Sequence, residues 1–175
     1  YWNPTYIIDI QNFVEVGPIT TPLNPLGLIA GWDGYLYLTT AGDWTNMIDS
    51  QLHRLDPNTK TVKKTFDTFA ASRMTVAGDY RYTCHTSWMD YQGDLNKSKL
   101  KNDAVTDFGP ANVYYYNVAA NPLTNYIYAM PEGMFMAGKT VTCYNSAGVE
   151  QYKLSNIGTR PSAIAFLTKT IHRVE

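Results

Sequence analysis

The sequence predicts an all-β protein of the β-propeller class, with about three and a half blades of four antiparallel strands each. Three observations lead to this prediction: short runs of alternating apolar and polar residues, turn residues between those runs, and a repeat of roughly 45 residues. A four-strand unit of this period is typical of a propeller blade, because one blade cannot cover both of its faces and must stack on neighbours. No convincing amphipathic helix is found.

An aromatic strand is the clearest marker of the repeat. It reads YLYL at 35–38, YRYT at 80–83 and YIYA at 126–129, so the starts lie 45 residues (35 to 80) and 46 residues (80 to 126) apart. The spacing predicts that these three strands occupy the same place in three successive blades.

A second marker is a strand that ends in Asp or Asn before a turn. It reads YIID at 6–9, LHRLD at 52–56 and VTCYN at 141–145, and we expect a degraded copy near residue 101. The turn sequences PNTK at 57–60 and SAG at 146–148 then predict hairpins. A proline before an apolar strand, as in Pro25 and Pro161, marks where a new blade begins.

These markers divide the chain into a partial blade at 5–18, complete blades at 26–66, 72–107 and 113–154, and a second partial blade at 162–175. Closed propellers usually have about four to eight blades. Three arrangements stay open: a piece of a larger ring, two copies that close one ring, or a tight four-bladed ring. We favour the first, because the leading strands look like the outer half of a blade.

Composition excludes some classes of partner. Only 17% of the residues are charged and the formal net charge is −1, so the chain has no electrostatic footprint for nucleic acid or an anionic membrane. No apolar run is long enough for a transmembrane helix, and no signal peptide opens the chain. The two cysteines, Cys84 and Cys143, fall in different blades and are expected to be buried free thiols.

The order of these motifs resembles the YncE-like surface propellers of Bacteroidetes, a group that includes outer-membrane lipoproteins that capture cobalamin. The resemblance is carried by YIID at 6–9, by LDPNTKTV at 55–62 and by the stretch 118–166, which includes NPLTNYIY at 121–128 and GTRPSAIAF at 158–166. It implies the C-terminal half of a seven- or eight-bladed ring. It also implies a location at the cell surface or in the periplasm, with a lipid anchor on the full-length precursor.

The long loops predict where a ligand binds. The four strands of a blade are lettered A to D from the inner to the outer edge. In a propeller the B-to-C and D-to-A connections lie on one face, and here the B-to-C loops are the long ones, at 41–50, 87 to about 97, and 131–139. Each carries large apolar side chains that a simple linker does not need. The candidate ligand-binding residues are Trp44, Asn46, Trp88, Asp90, Tyr91, Met134, Phe135 and Arg160.

For each of these residues a purely structural role is the alternative. The aromatic rings can pack on blade edges, the methionines can fill gaps, Asn46 and Asp90 can form turns, and Arg160 can bridge two blades. Trp32 falls on the opposite face and is excluded from the site.

No catalytic constellation is visible in the sequence. The three histidines lack zinc-type spacing, and neither a nucleophile elbow nor a phosphate-cradling glycine loop is present, so we expect no enzyme, no metal and no cofactor. Cys84 and His85 are neighbours in a strand and should point to opposite faces. The leading hypothesis is a non-catalytic binding propeller that captures a cobalamin-like nutrient or a glycan. A module that docks a protein such as an outer-membrane transporter is the alternative, and a lyase-type propeller enzyme is third.

Overall fold

A computed structural model of the chain describes residues 4–9, 11–12, 14–43, 45–66, 71–86, 93–111, 113–131, 139–158, 161 and 163–167. These residues form strands, turns and loops without a helix. The strands are β1 (Pro4–Asp9), β2 (Val14–Thr20), β3 (Pro25–Ala30), β4 (Leu36–Thr40), β5 (Gln51–Asp56), β6 (Thr61–Phe66), β7 (Arg73–Ala77), β8 (Tyr80–Thr86), β9 (Gly93–Lys99), β10 (Val105–Asp107), β11 (Tyr115–Ala120), β12 (Ile127–Pro131), β13 (Thr140–Tyr144) and β14 (Glu150–Ser155).

The strands form three four-stranded antiparallel sheets and one two-stranded sheet, with each strand next to its sequence neighbour. We call β3–β6 the first blade, β7–β10 the second blade, β11–β14 the third blade and β1–β2 the half-blade. Within each complete blade the strands are lettered A to D in chain order. The prediction of an all-β fold with about three and a half blades is confirmed.

The blades stack face to face around their inner strands, as β7 contacts β3 on one side and β11 on the other. An apolar core lies at each junction. Tyr37 and Phe66 of the first blade meet Ala71 and Leu100 of the second, whereas Ile19 of the half-blade meets the other side of the first blade. This radial stacking of four-stranded sheets is the architecture of a β-propeller.

The register of the sheets shows which residues are equivalent in the three blades. Tyr37, Tyr82 and Tyr128 share one position on strand B and each is paired with the residue at one common position of strand C. Tyr37 and Tyr82 are buried by the following blade. The repeated aromatic strand therefore marks the surface on which each blade receives the next.

Two boundaries differ from the sequence expectation. Strand β9 begins at Gly93, so the second B-to-C connection is shorter than predicted, because 93–97 pairs along β8 instead of continuing the loop. The degraded copy expected near residue 101 falls at Lys99, where β9 ends before a turn at 100–104.

The two cysteines lie in different blades, as β8 carries Cys84 and β13 carries Cys143, and both are buried free thiols as expected. Burial raises the pKa of the Cys84 thiol to about 12, so this group stays protonated and unreactive near neutral pH. In the part of the chain that the structure describes, no helix is long and apolar enough to cross a membrane.

Candidate functional site

The long-loop face, formed by the B-to-C and D-to-A connections, is where the sequence places the ligand site. Of the candidate residues, the structure describes Asn46. The others lie outside the described residues: Trp44, Trp88, Asp90, Tyr91, Met134, Phe135 and Arg160. Their role as ligand contacts stays a prediction.

Loop 41–50, the B-to-C connection of the first blade, is built around the carboxylate of Asp43. One Asp43 oxygen accepts hydrogen bonds from the backbone N–H groups of Thr45 (2.9 Å) and Asn46 (3.3 Å). The other accepts from the Asn46 side-chain amide at 2.7 Å, and this contact holds the pKa of Asp43 below its usual value. The backbone of Asp43 also exchanges two hydrogen bonds with Ile48, at 2.7 and 2.9 Å. The loop is thus a closed and internally bonded turn.

The D-to-A connection between β2 and β3 is hydrogen-bonded to this loop. The Asn24 side-chain amide donates to the carbonyl of Gly42 at 2.7 Å, and the backbone N–H of Ala41 donates to the carbonyl of Asn24 at 2.9 Å. Gly42 has a φ of 77°, and a β-carbon there would collide with the backbone of Ile48 and Asp49. Glycine is therefore required at this position for the loop to close.

The tip of loop 41–50 presents apolar side chains to solvent. The Met47 side chain is 62% exposed and that of Ile48 is 44% exposed, while the carboxylate beneath them is buried. The side-chain amide of Asn46 donates one of these hydrogen bonds to Asp43, so this side chain helps to hold the loop closed. Met47 takes a positive φ of 55°, which is uncommon for a residue with a side chain and which the bonded turn imposes.

A histidine links the end of loop 41–50 to strand β8 of the second blade. His85, next to the end of β8, shares a hydrogen bond of 2.9 Å between its Nδ1 and the Oγ of Ser50. Its Nε2 lies 3.5 Å from a carboxylate oxygen of Asp49. Because residues 49 and 50 end loop 41–50 and His85 lies near the end of β8, this contact fixes the end of the loop relative to the second blade.

Serine, histidine and aspartate also form catalytic triads, but this arrangement differs from one. The Ser50 side chain is buried between the first two blades, which leaves no approach for a substrate in this conformation. Cys84, the residue beside His85, packs with Tyr82 and Leu95 in the core that faces the third blade, whereas His85 faces the first. The prediction that these neighbours point to opposite faces is confirmed.

A cluster of charges, which the sequence reasoning did not identify, joins the first two blades near the short-turn face formed by the A-to-B and C-to-D connections. Asp103 accepts from Arg81 at 2.8 Å and from Lys64 at 2.9 Å, and Arg54 lies 3.4 Å away. Arg81 is fully buried, and its guanidinium stacks 4.5 Å from the ring centres of Tyr37 and Phe66. The sequence did contain a signal for this cluster: residue 81 is an arginine, whereas the equivalent positions of the other blades are Leu36 and Ile127.

The cations around Asp103 control its ionisation. Burial alone disfavours the carboxylate, but hydrogen bonds from Lys64 and Arg81 outweigh it, and the pKa of Asp103 is lowered. The carboxylate in turn compensates the buried Arg81 charge. The cluster therefore acts as a clamp between blades.

Metal binding has no evident candidate among the described residues, since they contain no group of three or more histidine, cysteine, aspartate or glutamate side chains positioned to hold an ion. On the short-turn face, the Trp32 ring is 84% exposed in the A-to-B turn of the first blade, far in topology from the long loops. This position makes Trp32 a suitable reference residue for binding experiments.

The fold defines a class, the β-propellers, and comparison with known proteins agrees at the level of the fold. No protein-family model and no curated protein matches the chain. Among solved structures, it is similar to Kuenenia stuttgartiensis hydrazine synthase, with a TM-score of 0.71 and 12% identity over 87% of this chain and 43% of that one.

It is also similar to a functionally unknown protein from Desulfotomaculum acetoxidans, with a TM-score of 0.54 and 12% identity over 90% of this chain and 51% of that one. The chain thus spans about half the length of these neighbours. At this identity the likeness concerns the fold alone.

Proposed function

We propose that this chain forms part of a non-catalytic binding propeller, located at the cell surface or in the periplasm, that captures a nutrient ligand on its long-loop face. The ligand is a cobalamin-like molecule or a glycan, and the aromatic residues of the long loops contact it. The resemblance to the YncE-like surface propellers supports both the location and the class of ligand.

The observation that carries the proposal is that loop 41–50 is held by hydrogen bonds while its tip exposes apolar side chains. The loop is bonded internally through Asp43, hydrogen-bonded to Asn24 of the preceding D-to-A connection, and joined to strand β8 through His85. Its tip nevertheless exposes Met47 and Ile48. A ligand-binding surface requires apolar side chains and polar groups on a rigid scaffold. Because the loop is already ordered, binding does not have to supply the entropy cost of ordering it.

A binding titration tests the proposal. Cyanocobalamin is titrated by calorimetry, and a glycan array is screened in parallel, with the wild-type chain and with Trp44→Ala and Trp88→Ala. We expect saturable binding to one of these probes and a loss of roughly tenfold or more in each variant, as for other aromatic contacts at binding centres.

Trp32→Ala is the matched control, because it removes an exposed indole from the opposite face. The proposal predicts that this variant binds like the wild-type chain. Absence of saturable binding to both probes would contradict it, and so would an equal loss in the Trp32 variant.

Docking of a protein, such as an outer-membrane transporter, is the alternative function, and the exposure of Met47 and Ile48 favours it. In that case Met47→Asp abolishes capture of the transporter from solubilised membranes. The same substitution changes cyanocobalamin or glycan binding only if the small ligand uses this loop. Comparing the two readouts separates the functions.

A further inference from the structure

The charge cluster around Asp103 holds more positive charge than negative. Arg54, Lys64 and Arg81 lie 3.4, 2.9 and 2.8 Å from oxygens of this one carboxylate. Three positive charges and one negative charge give the cluster a net charge of +2. The carboxylate of Asp33, also on the first blade, is engaged by a tyrosine hydroxyl at 2.6 Å. The cluster therefore has room for a further anion.

The other blade junctions show that joining two blades does not require this excess of charge. Lys60 donates to the carbonyl of Val16 in the half-blade, and Lys97 donates to the carbonyl of Ser146 in the third blade, both at 2.6 Å. Lys97 and Arg54 occupy equivalent positions on strand C, since each pairs with the second tyrosine of its Tyr-x-Tyr motif. A lysine bonded to a neutral carbonyl thus serves at those junctions, and a structural clamp alone does not explain three cations here.

Two donors of the cluster have no acceptor among the described residues. The Nε of Arg54 and the Nη1 of Arg81 are both buried and make no hydrogen bond there. A buried charged donor without an acceptor is unfavourable, because it has lost its hydrogen bonds to water. An anion at this junction would supply the missing acceptors and also balance the positive charge.

Aromatic rings hold the cations in place and leave part of the cluster open to solvent. Arg81 and Lys64 lie 4.5 and 4.7 Å from the ring centre of Phe66, and the Arg54 guanidinium lies 5.0 Å from that of Tyr35. The side chains of Lys64 and Arg54 are 43% and 22% exposed, whereas that of Arg81 is fully buried. Lys64 therefore forms the outer rim, with Arg81 at the back.

We propose that Arg54, Lys64 and Arg81 form a binding site for a phosphate group, at the junction of the first two blades and separate from the long-loop face. A phosphate group carries a charge of about −1.5 to −2 near neutral pH, which matches the net charge of the cluster. Guanidinium groups also fit the geometry of phosphate oxygens. The exposed Lys64 side chain turns from Asp103 to the phosphate and so uncovers the buried donor of Arg54.

A titration with inorganic phosphate tests the proposal on the isotope-labelled chain. Phosphate is added at neutral pH and constant ionic strength, and the arginine Nε–H signals are followed by NMR, with that of Arg54 assigned by its absence from Arg54→Lys. We expect this signal to shift and to saturate. Lys64→Gln should weaken phosphate binding roughly tenfold or more, because one charge-assisted hydrogen bond is lost.

Lys63→Gln is the matched control. The Lys63 side chain is 41% exposed, close to the value for Lys64, but it pairs with Asp56 at 3.6 Å. We expect this variant to bind phosphate like the wild-type chain. Equal weakening in the two variants would overturn the proposal, since binding would then follow the overall positive charge of this face.

O-phosphoserine, titrated in the same way, separates two sources of the phosphate group. Tighter binding of phosphoserine identifies a phosphate ester as the ligand, and tighter binding of inorganic phosphate identifies the free ion. A shift of the Arg54 signal that grows linearly without saturation, or no shift with either probe, would overturn the proposal and assign the two buried donors to water.

Discussion

At the scale of single residues, the clamp around Asp103 has the clearest energetic consequence. Replacing Asp103 with asparagine leaves the fully buried Arg81 without its carboxylate, and removing one partner of a buried ion pair typically costs about 3–5 kcal/mol. We expect Asp103→Asn to lower the free energy of unfolding by that order, measured by urea denaturation. Asp107→Asn, an exposed substitution on β10, should change it little. Equal effects of the two variants would show that the clamp does not stabilise the fold.

The same carboxylate predicts a pH dependence. The pKa of Asp103 is lower in the folded protein than the usual value of about 3.9, so the folded state binds this proton less readily than the unfolded state. Its contribution to stability is present above that usual value and is lost as the pH falls through the folded pKa. Unfolding measured from neutral pH to roughly pH 2 should therefore show the wild-type and Asp103→Asn curves converging in acid. A constant difference over this range would contradict the assignment.

At the scale of elements, loop 41–50 depends on one side chain. Asp43→Ala removes three hydrogen bonds, from the amides of Thr45 and Asn46 and from the Asn46 side chain. We expect hydrogen exchange at those two backbone amides to become faster by roughly tenfold or more. Asp79→Ala, in the short A-to-B turn of the second blade, is the control and should leave loop 41–50 unchanged. Unaltered exchange in Asp43→Ala would mean that the loop is ordered by other contacts.

A second titrating group, the imidazole of His53, lies within the sheet of the first blade. His53 is buried on β5 between Thr40 and Thr65, and burial lowers its pKa. The unfolded chain, with a histidine pKa of about 6.5, therefore gains this proton first, and stability falls as the pH drops below that value. His53→Asn places there the residue type that the second blade carries at the equivalent position, Asn96. The variant should lose part of the stability change between roughly pH 7 and pH 5, and parallel curves would contradict this.

Prediction from the sequence was most successful for the elements. The repeat of YLYL, YRYT and YIYA located strand B of each blade, because alternation and turn chemistry are local properties of the chain. The clamp of Arg81 with Asp103 was missed, since it joins residues of two blades and depends on how the sheets stack. The bridge from His85 to Ser50 escaped for the same reason. The start of β9 was misplaced because the polar run at 93–99 lacks the alternation that marks the other strands.

At the scale of the whole molecule, the central claim is that the sheets are blades of one propeller, with the second tyrosine of the repeated Tyr-x-Tyr motif covered by the next blade. Tyr37 and Tyr82 are buried, and the pKa of each is raised to about 12, first of all by burial. Tyr35 and Tyr80, two residues earlier in the same motifs, remain partly exposed. The claim therefore predicts an alternating pattern of accessibility within the motifs of the first and second blades.

Nitration by tetranitromethane, followed residue by residue with peptide mass spectrometry, measures this pattern most directly. Each tyrosine is compared with its own rate in the urea-denatured chain, because the reagent requires an accessible phenolate. We predict that Tyr37 and Tyr82 are strongly protected in the native protein while Tyr35 and Tyr80 react. Native rates for Tyr37 and Tyr82 close to their denatured rates would contradict the stacking of blades and the account built on it.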